Sequence, residues 1–119
     1  MNIIAIDDDR DLLILMRYSL SGKGIQVAIS VNGINLHKLI SEHRPRAILL
    51  DLTMKGINGA DICKALKADK TTADIPVVLV SGDPGIETIM ASCGADGFIR
   101  KPFSTATVAD HLFRLTAAA

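Results

Sequence analysis

The stretch Pro76-Val-Val-Leu-Val-Ser-Gly82 decides the fold class of this chain. A helix is a poor interpretation of it, because branched side chains disfavour helices and the flanking proline and glycine interrupt them. Its apolar residues are continuous rather than alternating, and strands with that pattern are covered on both faces. Residues 76–80 therefore predict a strand of a parallel sheet that has helices on both sides.

The same succession of short apolar runs and amphipathic stretches extends outward over the whole chain. Four more strands are predicted at residues 2–6, 25–29, 47–50 and 97–100, and five helices at 9–20, 33–43, 59–68, 85–93 and 104–115. Strict alternation implies an α/β fold with a doubly wound, five-stranded parallel sheet and right-handed crossovers. In the first helix we expect Leu12, Leu15 and Met16 to face inward, and Leu13 and Ile14 to be partly exposed.

Length, charge and cysteine content exclude several classes of protein. The 119 residues are 49% hydrophobic and carry no net charge. We expect one domain over residues 1–119, with no output domain and no membrane span, since no apolar run approaches about 18 residues. Direct binding of nucleic acid is not expected, because it requires a basic stripe. Two cysteines fit a reducing compartment, so we predict a cytoplasmic protein.

Polar side chains follow the predicted strands at the points where the strands end. Asp7 and Asp8 follow the first strand, Asp51 the third, Ser81 the fourth and Lys101 the fifth. Parallel α/β sheets bind ligands at this edge. Three neighbouring carboxylates favour a hard divalent cation such as Mg²⁺, while an ammonium and a hydroxyl suit a transferred phosphoryl group. The residues therefore predict metal-assisted phosphoryl transfer onto a carboxylate.

Four segments at these strand ends resemble one known family. They are Ile3-Ile-Ala-Ile-Asp-Asp-Asp9, Ile48-Leu-Leu-Asp-Leu-Thr-Met54, Val77-Val-Leu-Val-Ser-Gly82 and Gly94-Ala-Asp-Gly-Phe-Ile-Arg-Lys-Pro-Phe103. In this order they resemble the response regulator receiver domain over essentially the whole chain. The resemblance implies a flavodoxin-like strand order of 2-1-3-4-5. It also implies a phosphorelay role, with a sensor histidine kinase or a histidine phosphotransfer protein as the donor.

The resemblance also implies roles for the residues that transfer the phosphoryl group. Asp51 would be the phosphoacceptor, and Lys101 would contact the phosphoryl group. Mg²⁺ would be held by Asp7, Asp8 and Asp51 together with the backbone carbonyl of Thr53. No step beyond self-phosphotransfer and autodephosphorylation is implied, so the chain is not expected to be a dedicated enzyme.

Further roles implied by the resemblance concern switching and the lifetime of the phosphorylated state. Ser81 and Phe98 would form the switch pair, and the face of the fourth helix, fifth strand and fifth helix would contact a downstream protein. Thr53 and Asp83 would flank the phosphoryl group and tune dephosphorylation, and Pro102 would follow a cis peptide bond. Lys55 departs from the family pattern, because it stands where receivers usually have proline.

Two other functions remain open. A strand followed by Asp7-x-Asp9 is also the signature of small haloacid-dehalogenase-like aspartyl phosphatases, which would leave Asp51 without a role. A phosphorylation-independent adaptor would retain only the fold. The phosphorylated residue distinguishes the enzyme from the receiver, since the phosphatase would use Asp7 and the receiver Asp51.

Overall fold

The central layer of the computed structural model, which describes residues 1–117, is a parallel sheet of five strands. In chain order, the strands within these residues are β1 Asn2–Ile6, β2 Gln26–Ser30, β3 Ala47–Asp51, β4 Thr53–Met54, β5 Ile57–Asn58, β6 Val77–Ser81 and β7 Gly97–Arg100. The sheet order is β2-β1-β3-β6-β7, and β4 and β5 form a separate antiparallel pair. Since β6 and β7 are the fourth and fifth strands of the main sheet, the predicted order 2-1-3-4-5 is confirmed.

Helices cover both faces of the sheet, as predicted. Within the described residues they are α1 Arg10–Ser21, α2 Leu36–His43, α3 Gly59–Ala68, α4 Ile86–Cys93 and α5 Thr105–Thr116. Leu13 of α1 and Val108 of α5 belong to the core on one face, and Leu36, Cys63 and Ile86 of the other helices belong to the core on the opposite face. Of the helices in residues 1–117, none has the length and apolar character that a membrane crossing requires.

The register of the sheet aligns the carboxyl ends of its strands along one edge. Asp51 at the end of β3 is paired with Val80 of β6, and Ser81 at the end of β6 is paired with Arg100 of β7. Every residue of β3 and β6 is buried, which is the consequence of helices on both faces. Side chains that directly follow β1 and β7 therefore reach the same edge as Asp51.

The buried face of α1 differs from the predicted one. Leu13 and Met16 are buried, whereas Leu15 is 64% exposed. The expectation that Leu15 faces inward and Leu13 is partly exposed is therefore wrong, while the partial exposure of Ile14 is confirmed. All five residues from Leu12 to Met16 are apolar, so periodicity alone does not fix the rotation of this helix.

Two segments also differ from the predicted elements. Residues 53–58, expected as a loop, form the short β4–β5 hairpin, which we call the 53–58 hairpin. Helix α2 begins at Leu36 rather than at residue 33, because Gly33 and Asn35 have left-handed backbone conformations that a helix does not accommodate. The hairpin matters for the site because it directly follows Asp51.

Candidate functional site

Two buried carboxylates and one ammonium form the centre of the site. Asp51 ends β3 with a side chain that is 3% exposed, and Asp7 directly follows β1 with a side chain that is 6% exposed. Lys101 directly follows β7, and its Nζ lies 3.2 Å from Asp51 Oδ1 and 3.3 Å from Asp7 Oδ2. The ends of three strands thus supply one cluster in which a single ammonium is shared by two carboxylates.

Asp8 adds a third carboxylate to this cluster. One carboxylate oxygen of each of Asp7, Asp8 and Asp51 lies within 4.8 Å of the others. Asp8 is exposed, so the cluster is open to solvent on that side. Hard, anionic oxygen donors at this spacing are the donor type that binds Mg²⁺, which keeps several waters in protein sites. The residues present therefore fit a magnesium ion.

The carboxyl pKa of Asp51 reflects both its burial and its charged neighbours. Burial, and after it the charge of Asp7, raise this pKa above the ordinary value of 3.8. The ammonium of Lys101 and a hydrogen bond from the backbone of Thr53 lower it without cancelling the rise. A further cation near Asp51 would favour its ionised form, which is the form that can act as a nucleophile.

The pKa of Lys101 is shifted by the same neighbours. Burial alone would lower it, but the carboxylates of Asp7 and Asp51 outweigh burial and raise it above the ordinary value of 10.5. Lys101 is therefore positively charged throughout the neutral range. It can contact an anionic group on Asp51 without first gaining a proton.

Ser81 and Asp83 are connected through the loop between β6 and α4. The buried Ser81 Oγ accepts a hydrogen bond from the Asp83 N–H at 2.9 Å, and Asp83 Oδ1 accepts one from the Gly85 N–H at 2.7 Å. The Lys101 N–H donates to the Ser81 carbonyl oxygen at 3.0 Å. The Asp83 N–H uses only a lone pair of the Ser81 oxygen, so the hydroxyl proton can still be donated to another acceptor.

The residues predicted to flank the phosphoryl group line one groove. Thr53 is the first residue of β4, and both Thr53 and Asp83 are exposed. They lie on an open groove of about 580 Å³ between the 53–58 hairpin and α4. Its lining also includes Leu52, the residue that directly follows Asp51.

Phe98, the predicted switch aromatic, is half-buried in β7 on the α4 side of the sheet. The guanidinium of Arg100 lies 5.3 Å from the centroid of its ring, and Arg100 Nη2 contacts Glu87 Oε1 of α4 at 3.0 Å. Arg100 was not among the residues predicted to form the site or the switch. Its side chain connects the aromatic ring to α4 on the surface predicted to contact a partner.

Asp9 lies outside the cluster although it follows Asp7 closely in sequence. It is the N-cap residue of α1, and its Oδ1 accepts a hydrogen bond from the Leu12 N–H at 3.0 Å. The Asp9 N–H in turn donates to Asp7 Oδ1 at 2.9 Å. The Asp9 carboxylate therefore caps α1. A phosphatase that uses Asp7 and Asp9 would instead need this carboxylate for proton transfer.

Gly59 is a further residue on which the site depends. A Cβ atom at this position would overlap the backbone carbonyl oxygen of Asp51 and lie 2.9 Å from the Cα of Leu52. Only glycine lets the start of α3 approach the end of β3 this closely. The sequence feature that could have identified Gly59 is its place at the start of a predicted helix, eight positions after Asp51.

The Lys101–Pro102 peptide bond is cis in the structure. This is the conformation that the resemblance implied for Pro102.

Known proteins resemble the chain over most of its length. A family model described as the response regulator receiver domain matches residues 3–113. The response regulator MprA of Mycobacterium leprae is 31% identical over 106 residues, which are 87% of this chain and 46% of MprA. The DNA-binding response regulator MtrA of Mycobacterium tuberculosis is 33% identical over 103 residues, which are 85% of this chain and 44% of MtrA. The chain spans about half the length of the curated relatives it matches.

A solved structure gives the same result for the fold. The signal receiver domain of a signal transduction histidine kinase from Syntrophus aciditrophicus superimposes with a TM-score of 0.86 and 29% sequence identity. The match covers 99% of this chain and 91% of that one.

Proposed function

The chain belongs to the family of response regulator receiver domains, and from this membership we propose that Asp51 accepts a phosphoryl group from a phosphohistidine. The family functions in two-component signalling and implies a histidine kinase as partner. The observation that carries the proposal is the buried Asp51 carboxylate, 3.2 Å from Lys101 and grouped with two further carboxylates.

The proposed step is an in-line displacement at phosphorus. A carboxylate oxygen of ionised Asp51 forms a bond to phosphorus while the bond between phosphorus and the imidazole nitrogen breaks. The electron pair of that bond leaves with the imidazole, whose ring carries a proton on its other nitrogen, so the products are an aspartyl phosphate and a neutral histidine. Asp51 has no proton to lose in this step, which is why its ionisation matters.

Electrostatic stabilisation supplies most of the catalysis in phosphoryl transfer. Lys101 is already placed against Asp51 and remains charged, so we assign it to the oxygens of the incoming group. Asp7, Asp8, Asp51 and the Thr53 carbonyl would hold Mg²⁺, which would neutralise negative charge on the phosphoryl oxygens when bound. The Thr53 N–H donates a hydrogen bond to the Asp51 carboxylate, so the start of β4 lies beside the cluster.

We further propose that Ser81 and Phe98 convert phosphorylation into a change of surface. A Ser81 hydroxyl that moves to donate a hydrogen bond to a phosphoryl oxygen would pull on its bond with the Asp83 N–H, and this would rearrange the loop before α4. Phe98 would then turn inward, and its burial is favourable by about 1.5–3 kcal/mol at most. Because Arg100 contacts both Phe98 and Glu87, this movement would also alter the α4–β7–α5 face. That face is our proposed surface for a downstream protein.

The lifetime of the phosphorylated state depends on access of water to the aspartyl phosphate. We assign this control to Thr53 and Asp83, since both line the groove beside Asp51. The hydrogen bond from Gly85 holds Asp83 in the β6–α4 loop, so Asp83→Ala would both loosen this loop and remove a charge. The aspartyl phosphate of Asp83→Ala should therefore decay at a different rate from that of wild type. The α2 variant His37→Ala should decay at the wild-type rate.

Two further assignments follow from the proposed role. The chain would carry out self-phosphotransfer and autodephosphorylation without turning over a separate substrate. We also propose a cytoplasmic location, where a kinase can reach it and where the free thiols of Cys63 and Cys93 remain reduced.

Intact-protein mass spectrometry tests the proposal directly. Wild type incubated with acetyl phosphate and MgCl₂ should gain the mass of one phosphoryl group, and Asp51→Asn should gain none. The matched control is Asp74→Asn, which removes an exposed carboxylate outside the cluster and should label like wild type. Equal labelling of Asp51→Asn and Asp74→Asn would reject Asp51 as the acceptor.

A further inference from the structure

The backbone N–H of Lys55 donates a hydrogen bond to Asp8 Oδ2 at 2.8 Å. Lys55 lies in the turn of the 53–58 hairpin, 47 positions away from Asp8 in the chain. It is the contact that joins the hairpin to the third carboxylate of the cluster. The sequence positions of Lys55 and Asp8 did not predict this contact.

The geometry of the turn explains why this N–H is available. Lys55 and Gly56 form the two-residue turn between β4 and β5, and Gly56 has a φ of +73°. A positive φ at the second turn residue is typical of a type II turn, in which the N–H of the first turn residue has no partner within the turn. The Lys55 N–H therefore points outside the hairpin, and Asp8 satisfies it.

We propose that the Lys55 N–H is a positioning group for the metal site, and this inference rests on the Mg²⁺ site of the proposed function. Asp8 is exposed, so its carboxylate would otherwise sample several rotamers before binding a cation. The hydrogen bond fixes one oxygen and leaves the other oxygen available as a ligand. It also links the position of the hairpin, and with it the backbone of Thr53, to the same ion.

The lysine side chain has no part in this role, so the donor can be removed separately from the charge. Proline is favoured at the first central position of a type II turn, and the preceding residue, Met54, is already in an extended strand. Lys55→Pro therefore preserves the turn and deletes the N–H. Lys55→Ala deletes the ammonium and retains the N–H. Comparison of these two variants isolates the hydrogen bond.

Isothermal titration with MgCl₂ alone measures the effect on the metal site. We expect the Kd of Lys55→Pro for Mg²⁺ to be roughly tenfold higher than that of Lys55→Ala, which corresponds to about 1.4 kcal/mol. Equal Kd values for the two variants, or a lower Kd for Lys55→Pro, would overturn the inference while leaving the metal site in place. Absence of Mg²⁺ binding by wild type would overturn the proposed metal site, and the inference with it.

A second measurement does not depend on how well Lys55→Pro folds. Amide-proton exchange of Lys55 in the metal-free protein should become at least about fivefold faster in Asp8→Ala than in wild type, because the acceptor is gone. The Gly85 amide, which is bonded to Asp83, is the internal control and should not change. Unchanged exchange of the Lys55 amide would show that Asp8 does not hold it, and would overturn the inference.

Discussion

Two lysines at opposite edges of the sheet show how an ion pair that stabilises the fold differs from one that forms a site. Lys67 of α3 lies beside the start of β6, and its Nζ contacts Asp96 Oδ2 at 2.7 Å and the carbonyl oxygens of Ala73 and Ile75 at 3.1 and 2.8 Å. Its one charge meets one carboxylate, and its three donors are all used. This arrangement needs no further ligand.

Lys101, at the carboxyl ends of the strands, has the opposite balance. One ammonium contacts the buried Asp7 and Asp51, and Asp8 completes a group of three carboxylates. Burial, and after it the charge of Asp7, raises the pKa of Asp51, so ionised Asp51 is disfavoured despite the ammonium of Lys101. A lysine in a balanced cluster indicates a structural contact, whereas a lysine shared among several buried carboxylates indicates a site that gains from a cation.

Lys67→Met should have the largest effect on stability. It leaves two backbone carbonyls without their donor and removes the ammonium from Asp96, whose Oδ2 keeps the Val77 N–H as a donor. We expect the free energy of unfolding to fall by about 2–3 kcal/mol. Urea denaturation measures this loss. Because the cluster is balanced, the loss should be the same with and without MgCl₂. A loss that Mg²⁺ restores would remove the distinction between the two lysines.

Lys101→Met should have a smaller effect that depends on Mg²⁺. In EDTA we expect the free energy of unfolding to fall by about 1–2 kcal/mol, because two buried carboxylates lose their counter-charge but remain near solvent. In millimolar MgCl₂ most of this loss should be recovered, since the ion can replace the ammonium. The same urea titrations serve as the measurement. A loss unaffected by Mg²⁺ would make Lys101 a structural lysine like Lys67.

Asp51→Asn should stabilise the metal-free protein at neutral pH. The gain should be only on the order of 1 kcal/mol, because the attraction of Asp51 to Lys101 offsets much of its repulsion by Asp7. The pKa of Asp51 is raised in the folded state by burial and then by Asp7, so its ionised form destabilises the fold above that pKa. As the pH falls through the folded pKa toward 3.8, the wild-type carboxyl becomes neutral and the difference should disappear. Urea titrations from pH 7 to pH 3.5 measure it.

The control for that series is Asp74→Asn, which lies outside the cluster. If Asp51→Asn raises the free energy of unfolding equally at pH 7 and at pH 3.5, the introduced amide acts through packing rather than through charge. Destabilisation at pH 7 would mean that Lys101 more than balances the three carboxylates.

Arg100→Ala should have the smallest effect on stability and adds a surface pair to the comparison. Arg100 and Glu87 are 47% and 68% exposed, so we expect a change of less than about 0.5 kcal/mol. The ring of Phe98 should nevertheless lose its cationic neighbour, which should shift its aromatic NMR signals. Arg114→Ala, on α5, serves as the control. Unchanged Phe98 signals would show that the Arg100 contact does not influence the ring.

Sequence alone was sufficient to predict a covered parallel sheet and the side chains that follow its strands, whereas the strand order was implied by the family resemblance. Continuous apolar runs identify covered parallel strands, and the topology then requires Asp7, Asp51 and Lys101 to converge. These predictions depend on residue type and position along a strand, which the sequence states directly. Their chemical roles are not visible in the same way and rest on the family resemblance.

Other features depend on tertiary packing that the sequence does not state. The rotation of α1, with Leu13 buried instead of Leu15, is decided by contacts with the sheet because both residues are apolar. The contact from Lys55 to Asp8 uses a backbone N–H, which every residue except proline has, so no side-chain pattern announces it. Gly59 is required by the distance between α3 and the Asp51 carbonyl, which is known only from the fold.

Identification of the phosphorylated residue decides whether Asp51 or Asp7 accepts the phosphoryl group. Wild type is phosphorylated with acetyl phosphate and MgCl₂, and borohydride then reduces the acyl phosphate to homoserine, which peptide mass spectrometry locates. We predict homoserine at position 51 and unmodified aspartate at positions 7, 8 and 9. Homoserine at position 7 would contradict the account and would instead support an aspartyl phosphatase.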